Sequence, residues 1–190
     1  MNVYDFDKTI CKKDTSVQFF LWCLKRHPRI ARRLPSMCGA GIRYLLKAID
    51  KTAMKQNLFR FFADLPDPEE EISEFWSNNM KLINSWYFRF QRTDDVVVTA
   101  SPEALVGCVC KKLGLSGVVG SRVDIHTGEF TGKNCSGPEK VSRFREAFPY
   151  TRIEHFYSDS IGDDPMACVA EQAFLVKGDS FRPWPTEEEY

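Results

Sequence analysis

Two carboxylates lie close together at the end of the first strand-like stretch of the sequence. Residues 2–6 read as a short buried strand, and Asp5 and Asp7 lie at its end. Because residues two apart at a strand end project toward the same side, both carboxylates can face one site. Two like charges held close are costly unless a cation or a shared proton relieves the repulsion. A hard cation with oxygen ligands, such as Mg²⁺, is the natural solution.

A second group of polar residues suits a bound phosphate. Thr99, Ala100 and Ser101 directly follow a β-branched run at residues 96–98, and a helix is predicted to begin there. A hydroxyl group and free backbone N–H groups at the start of a helix are good ligands for phosphate oxygens. The sequence therefore predicts a phosphate-binding turn after this strand.

Two further charged segments occur at similar places. Lys140 lies in the first turn of a helix predicted after Gly137-Pro138, and Asp159 and Asp163 lie at a strand-to-helix transition. Ligands of open α/β sheets bind just beyond the carboxyl ends of the strands. We therefore expect these groups to meet at one edge of a sheet.

Each feature also has an ordinary structural explanation. An isolated Asp-x-Asp pair is usually surface or capping chemistry, and Thr99 alone is more often a helix cap. Lys140 alone is more often solvated, and Asp163 could simply favour a helix N-terminus through its dipole. It is the combination of all these residues, in this order, that favours a single catalytic site.

The elements that must position these residues follow a simple order. A strand comes first, a long helical block begins near Asp14, and strands then alternate with helices. The three consecutive valines at residues 96–98 are typical of a strand buried on both faces of a parallel sheet. The order predicts an α/β fold, a Rossmann-like parallel sheet core with an inserted α-helical cap subdomain. We expect the core to comprise residues 1–12 and 90–190, and the cap residues 13–89.

Local signals predict several boundaries. Asp67-Pro68 has the pattern of an N-cap followed by Pro at the first helical position. Residues 166–172 are expected to be helical and residues 174–176 to form the last strand. The segment 182–190 is rich in Pro and Glu, and we expect it to be loosely ordered.

Composition excludes several classes of protein. The chain has 190 residues, of which 43% are hydrophobic and 27% charged, and this balance argues against disorder. Its seven cysteines follow no disulfide or zinc pattern, which favours free thiols in a reducing compartment. Arg43 and Lys47 interrupt the longest apolar stretch, so we expect no transmembrane segment. With no signal peptide recognisable, a cytoplasmic protein is expected.

Charge is distributed unevenly although its sum is zero. Residues 1–63 contain 13 Lys or Arg and 4 Asp or Glu, whereas the remainder contains 13 and 22. This asymmetry indicates an anionic partner for the first third, such as a phosphorylated metabolite, a phospholipid surface or nucleic acid. The basic run at residues 25–33 could equally be an ordinary solvated helix face.

Four motifs resemble those of the haloacid dehalogenase superfamily of phosphatases. DFDKT at residues 5–9 matches the first motif (DxDxT), VVVTAS at 96–101 the second, Lys140 the third, and DSIGD at 159–163 the fourth. The resemblance covers nearly the whole chain. A helical cap between the first two motifs is similar to that of the phosphoserine-phosphatase-like branch, and within it the chain looks most like phosphatidylglycerophosphatase C-like proteins.

The resemblance implies roles in phosphate-ester hydrolysis. Asp5 would be the nucleophile and Asp7 the general acid and base. Lys140 would pair with the Asp5 carboxylate and with the phosphoryl group.

The same resemblance implies the binding groups. Thr99, with Ala100 and Ser101, would hold the phosphoryl oxygens of a small phosphorylated substrate. Mg²⁺ would be bound by the Asp5 carboxylate, the backbone carbonyl of Asp7 and the carboxylate of Asp159. Asp163 would support the metal, either directly or through a water molecule.

Two departures from the family pattern concern the substrate. Asp14 takes the place of a Glu that contacts the substrate amine in phosphoserine phosphatases, so it is a candidate for substrate binding, although phosphoserine is not the first choice. Arg43 and Lys47 break the apolar segment that the lipid phosphatase carries, which leaves peripheral contact with an anionic membrane surface as the compatible form of membrane association.

Other classes of function stay open from the sequence. One is a non-catalytic or regulatory module that keeps the fold, with the basic cap binding a polyanion; no specific nucleic acid is expected. Another is transfer of the phosphoryl group to an acceptor other than water.

Overall fold

Six strands form one sheet in the computed structural model, in which residues 1–185 are described. The strand order is β3-β2-β1-β4-β5-β6, and every neighbouring pair is parallel except the antiparallel pair β5 and β6. The strands are β1 (Asn2–Tyr4), β2 (Val96–Pro102), β3 (Gly117–Ser121), β4 (Ile153–Ser158), β5 (Ala170–Lys177) and β6 (Ser180–Pro183). The predicted α/β class with a largely parallel sheet is confirmed.

Eight α-helices accompany the sheet in the described part of the chain, five of them between β1 and β2. These five are α1 (Thr15–Arg26), α2 (Leu34–Leu45), α3 (Lys51–Phe59), α4 (Pro68–Asn79) and α5 (Tyr87–Phe90). The others are α6 (Glu103–Leu113), α7 (Pro138–Ala147) and α8 (Asp164–Ala167). Short 3₁₀ helices occupy Pro28–Arg33, Arg60–Asp64, Met80–Leu82 and Ile161–Asp163.

Strand β1 lies at the centre of the sheet. Val3 is paired with Val96 of β2 on one side and with Phe156 of β4 on the other. The chain runs outward from β1 through β2 to β3 and then returns to β4 on the opposite side of β1. Strand order therefore reverses between β1 and β4, the kind of point at which open parallel sheets bind ligands.

Aromatic packing joins the helical insert to the sheet. Trp76 of α4 is fully buried, and its indole nitrogen donates a hydrogen bond of 2.7 Å to the carbonyl of Leu105 in α6. Its ring meets Phe6, which follows β1, edge to face at 5.9 Å between centroids. Phe19 of α1 and Phe75 of α4 pack in the same way at 5.4 Å. The insert and the sheet thus share one apolar core.

Helix starts in the insert follow the sequence signals. The Asp67 carboxylate accepts a hydrogen bond of 2.8 Å from the Glu70 amide, with Pro68 at the first helical position, as predicted. Asp14 caps α1 in the same way, through the Val17 amide at 3.0 Å. Such side-chain acceptors satisfy amide groups that the first helical turn leaves unpaired.

Three predicted elements differ in the structure. The strand predicted as the last, at residues 174–176, belongs to β5 and is followed by β6. The helix expected at residues 166–172 is wrong beyond Ala167, because β5 begins at Ala170 and pairs with β4. Pairing with a buried strand outweighs the helical propensity of this stretch. The segment 182–190 was expected to be loosely ordered, but Arg182 and Pro183 belong to β6; residues 186–190 lie outside the described part of the chain.

Part of the basic run in the insert is neutralised within the chain. Arg32 and Arg33 both bind Asp64, at 2.5 and 2.8 Å. Hydrogen bonds from Arg33 and then Arg32 lower the pKa of Asp64 to about 2. Arg26 binds Glu71 at 3.0 Å. These ion pairs therefore join α1 to α4, and the 3₁₀ helix Pro28–Arg33 to the 3₁₀ helix Arg60–Asp64.

No helix among residues 1–185 is both long enough and apolar enough to cross a bilayer.

A tight contact fixes the insert against the turn that follows β3. Gly128 has φ +76°, and a Cβ atom at this position would overlap the carbonyl oxygen of Phe59. Nearby, the amide of Phe130 donates a hydrogen bond of 3.0 Å to the side chain of Gln56 in α3. The turn therefore supports α3 directly.

We expect Gly128→Ala to destabilise the fold more than Gly178→Ala. Gly178 has a similar φ of +62° but open space around a Cβ atom. The control should lose about 1–2 kcal/mol from the left-handed backbone alone, whereas overlap at Gly128 should add about 1–3 kcal/mol. Urea unfolding measures both; equal losses would contradict the close contact at Phe59.

Candidate active site

A cavity of about 260 Å³ lies where strand order reverses, between the ends of β1 and β4 and helix α3. Its walls carry both signs of charge. The acidic residues are Asp5, Asp7, Asp14, Asp159 and Asp163, and the basic residues are Lys8, Lys51, Lys55 and Lys140. The structure thus brings together seven of the nine residues predicted from the sequence, the seventh being Ala100.

Lys140 lies between two carboxylates beneath this cavity. Its ammonium group, with the side chain 2% exposed, is 2.6 Å from Asp5 Oδ1 and 2.7 Å from Asp163 Oδ2. The Ser158 hydroxyl donates a further bond of 2.7 Å to Asp163 Oδ2. One buried cation therefore links the end of β1 to the segment after β4, from the first turn of α7.

Protonation in this cluster reflects burial opposed by pairing. Burial raises the pKa of Asp5 to about 7, with Asp163 and Asp7 adding to the rise and Lys140 opposing it. Burial alone would lower the pKa of Lys140, but the two carboxylates outweigh it and raise that pKa. At a hydrogen-bonded distance of 2.6 Å the Lys140 ammonium opposes the rise in the pKa of Asp5 and favours the carboxylate form of Asp5, which is the form needed to attack an electrophile.

Asp7 is held by two donors on the opposite side of the cavity. Its Oδ1 accepts from the Thr15 amide at 2.7 Å, and its Oδ2 accepts from the Ser101 hydroxyl at 2.5 Å. Burial, together with the charge of Asp14, nevertheless raises the pKa of Asp7. A carboxyl group with a raised pKa keeps its proton at a higher pH than usual. Such a group is suited to act as a general acid.

Thr9 connects the nucleophile candidate to Asp159. Its hydroxyl accepts a hydrogen bond of 3.0 Å from the Asp159 amide and donates a weaker one of 3.5 Å to Asp5 Oδ2. Burial raises the pKa of Asp159, and the nearby charge of Lys8 opposes this rise. Thr9 therefore links the buried Asp5 carboxylate to the backbone of the partly buried Asp159.

The oxygen donors of the cavity bear on the Mg²⁺ that the sequence predicts. Within residues 1–185, no three Asp, Glu, His or Cys side chains form a ready metal cluster. Asp5 and Asp159 nevertheless offer hard oxygen donors on one cavity, where burial penalises their negative charge. This chemistry fits a hard cation that also takes a backbone carbonyl and water as ligands. Asp163 is less suited as a direct ligand, since Lys140 and Ser158 both bind its Oδ2.

The predicted phosphate-binding turn is brought only partly to the cavity. Ala100 lines it, whereas Thr99 and Ser101 are buried behind the wall. The Thr99 hydroxyl accepts from the Ser101 amide at 3.1 Å. The role of Thr99 and Ser101 in holding phosphoryl oxygens stays a prediction, and the hydroxyl of Ser101 here positions Asp7.

Asp14 has a structural role in addition to the substrate-binding role that the sequence predicts. It lines the cavity and at the same time caps α1. A role in substrate binding stays a prediction.

Lys51 and Lys55 were not found by sequence reasoning. Both lie on α3 and line the cavity, and the Lys55 ammonium donates a hydrogen bond of 2.8 Å to the Ala100 carbonyl. Their i, i+4 spacing places them on one helix face. That spacing is common in solvated helices, so only the position of these two lysines at the cavity distinguishes them.

Comparison with known proteins gives the family of this chain. The family model described as haloacid dehalogenase-like hydrolase matches residues 3–167. Protein CicA from Caulobacter vibrioides is 29% identical over 191 residues, covering 89% of this chain and 82% of that protein. Probable phosphatase Rv3661 from Mycobacterium tuberculosis is 36% identical over 106 residues, covering 48% of this chain and 37% of that protein.

A solved structure shares the fold over most of both chains. It is a Bordetella pertussis protein of unknown function, with a TM-score of 0.73, 18% identity, and coverage of 91% of this chain and 87% of that one. At this identity the likeness concerns the fold alone. The match of the family model over most of the sequence shows that this chain belongs to the haloacid dehalogenase-like hydrolase family.

Proposed function

We propose that this chain hydrolyses phosphate monoesters through a phospho-aspartate formed on Asp5. The observation that carries the proposal is the position of Lys140, which is buried and bonded to both Asp5 and Asp163 at the base of an open cavity. A fixed positive charge beside a carboxylate holds that carboxylate ionised and oriented, and it can also offset charge on a transferring phosphoryl group. A relative named a probable phosphatase supports the same chemistry.

In the first step, a carboxylate oxygen of Asp5 forms a bond to phosphorus while the bond from phosphorus to the ester oxygen breaks. Asp7 donates its proton to the departing oxygen, which leaves as an alcohol. The raised pKa of Asp7 favours this protonated form.

In the second step, Asp7, now ionised, takes a proton from a water molecule. The resulting oxygen attacks phosphorus, and the bond between phosphorus and Asp5 breaks. Inorganic phosphate leaves, Asp5 returns to a carboxylate and Asp7 to its acid form. Covalent catalysis of this kind divides one difficult displacement into two easier ones.

Mg²⁺ is the cofactor that we propose for this site. Asp5, Asp159 and the backbone carbonyl of Asp7 would hold it. Asp163 would support the site through its bond to Lys140, which in turn binds Asp5. When bound, it would neutralise negative charge on the phosphoryl oxygens.

The substrate that we propose is a small phosphometabolite or the headgroup phosphate of a phospholipid, such as phosphatidylglycerophosphate. Lys51 and Lys55 add two positive charges to one side of the cavity, beyond the catalytic cluster. They favour a substrate with a second anionic group besides the reacting phosphate. We also propose that residues 13–89 form the cap. Lys51 and Lys55 then belong to the cap and not to the core.

The cytoplasm is the proposed location. Six cysteines are free thiols in the structure, which fits a reducing compartment; they are Cys11, Cys23, Cys38, Cys108, Cys110 and Cys135.

A non-catalytic module and transfer of the phosphoryl group to another acceptor remain alternatives to hydrolysis. Both predict that no steady release of inorganic phosphate occurs in water.

Phosphate release from a panel of monoesters tests the reaction directly. The panel comprises para-nitrophenyl phosphate, phosphoserine, sugar phosphates, nucleotides and phosphatidylglycerophosphate, each with and without Mg²⁺. We expect release that requires Mg²⁺, that vanishes in Asp5→Asn and that falls by about 10²–10⁴-fold in Asp7→Asn. Thermal unfolding of each variant controls for folding. Undiminished turnover by a folded Asp5→Asn protein would remove the nucleophile assignment, and an inactive wild-type protein would favour the non-catalytic module.

A second test concerns Lys55 and pH. Burial lowers the pKa of Lys55 to about 8; the charges of Asp7 and Asp14 oppose this shift, whereas those of Lys51 and Lys140 add to it. Since the ammonium form predominates below the pKa, attraction for an anionic substrate should be present below pH 8 and decline above it.

The measurement compares KM for 3-phosphoglycerate and glycerol 3-phosphate between pH 6.5 and 9.5. Only the first carries an additional carboxylate. We expect Lys55→Gln to raise KM for 3-phosphoglycerate about tenfold at low pH, because a charged hydrogen bond is lost. The variant should also lose the rise in KM that the wild-type protein shows above pH 8. Lys111→Gln, which changes an exposed lysine of α6, is the matched control. An unchanged KM ratio in Lys55→Gln would show that Lys55 does not bind the second group.

A further inference from the structure

One stretch of the insert lacks acidic residues altogether. Between Asp14 and Asp50 the sequence contains seven Lys or Arg and no Asp or Glu. This stretch comprises α1, the following 3₁₀ helix and α2. It is therefore the most strongly basic part of the molecule.

The end of α2 exposes large apolar side chains in this basic stretch. Leu45 is 79% exposed, Leu46 73% and Ile42 58%. Ala40 is the one residue of α2 that is buried. We call residues 42–47 the cap tip. An apolar cluster this exposed, on a helix that buries so little, is typical of an interaction surface.

The cap tip also carries two positive charges that have no ion-pair partner among residues 1–185. Arg43 and Lys47 are exposed and, within residues 1–185, form no ion pair. Other arginines of the same stretch do, since Arg32 and Arg33 bind Asp64. The charges at the cap tip are thus available to an external anionic surface.

We propose that the cap tip docks on a lipid bilayer that contains anionic lipids. Leu45, Leu46 and Ile42 enter the boundary between headgroups and acyl chains, while Arg43 and Lys47 contact the lipid phosphates. Apolar residues beside basic ones are the composition of segments that lie in this interface. Long basic side chains can keep their charge among headgroups while their stems cover apolar surface.

Charge favours a bilayer over a second copy of the chain. A two-fold interface places the same patch of each copy face to face. It would bring Arg43 and Lys47 of both copies together, and the stretch from residue 15 to residue 49 supplies no carboxylate to offset them. Such like-charge contacts oppose association. An anionic bilayer offers both an apolar interior and negative charge.

Docking would also bring the cavity near the bilayer. Helix α3 begins at Lys51, four residues after the cap tip, and its residues Lys51 and Lys55 line the cavity. This step rests on the proposed phosphatase activity. The phosphate of a lipid headgroup would then lie close to the cavity that Lys51 and Lys55 line. Membrane docking itself does not depend on the chemistry of the site.

Sedimentation of the full chain with vesicles tests the docking. The probes are vesicles of phosphatidylcholine alone and vesicles that also contain phosphatidylglycerol, at low and high salt. We expect binding to the anionic vesicles, weakened by salt, and little to the neutral ones. Leu45→Ser with Leu46→Ser should weaken it at least tenfold, and each of Arg43→Gln and Lys47→Gln about fivefold.

Matched controls carry the same changes elsewhere. Phe88→Ser removes an apolar side chain that is 53% exposed on α5, and Lys111→Gln with Lys112→Gln removes two exposed charges from α6. Both should bind like the wild-type protein. Equal loss in the controls, equal binding to neutral vesicles, or undiminished binding by the double serine variant would overturn the proposal. So would a dimer in solution that the serine variant converts to a monomer.

Hydrolysis of para-nitrophenyl phosphate, measured without vesicles, separates this proposal from the proposed function. The cap tip variants should hydrolyse it as the wild-type protein does. Vesicle binding by a protein that hydrolyses nothing would overturn only the proposed phosphatase activity. Hydrolysis without vesicle binding would overturn only the docking.

Discussion

The ammonium group of Lys140, held between Asp5 and Asp163, is the interaction on which the site depends. Each of the three groups is buried, and a buried charge is tolerated only when it is paired and hydrogen-bonded. The pairing at 2.6 and 2.7 Å requires β1, the first turn of α7 and the segment after β4 to meet within hydrogen-bonding distance. Removal of the Lys140 charge would leave two carboxylates unpaired in the interior, so this one cation holds three distant parts of the sequence in one arrangement.

The sheet order makes that meeting possible. Because β1 is central and the chain returns to its other side at β4, the residues that follow these two strands emerge side by side. The acidic residues after β1 and β4 would repel one another there, and Lys140 supplies the nearest compensation. The remaining excess of carboxylate at Asp159 explains why the same edge suits a hard cation.

The features predictable from sequence were those set by local chemistry. The strand-and-helix order, the cap by Asp67 before Pro68 and the convergence of the motif residues all follow from neighbouring residues or from the parallel topology. Features that depend on distant packing were missed. The stretch from Cys168 to Gln172 contains residues compatible with a helix, yet pairing with β4 makes most of it strand. Likewise, nothing in the sequence around Lys55 indicates that α3 lies across the cavity.

The helical insert combines two requirements that conflict in most domains. Its inner face must be apolar enough to join the core, and Trp76 and Phe19 meet that need. Its outer end, at Leu45 and Leu46, is also apolar but remains in water. Burial in the core cannot explain that second surface, because α2 packs so little of itself against the rest of the chain. A basic, apolar end beside a cavity lined with lysines is instead understandable if one insert both holds the protein at an anionic surface and admits an anionic substrate.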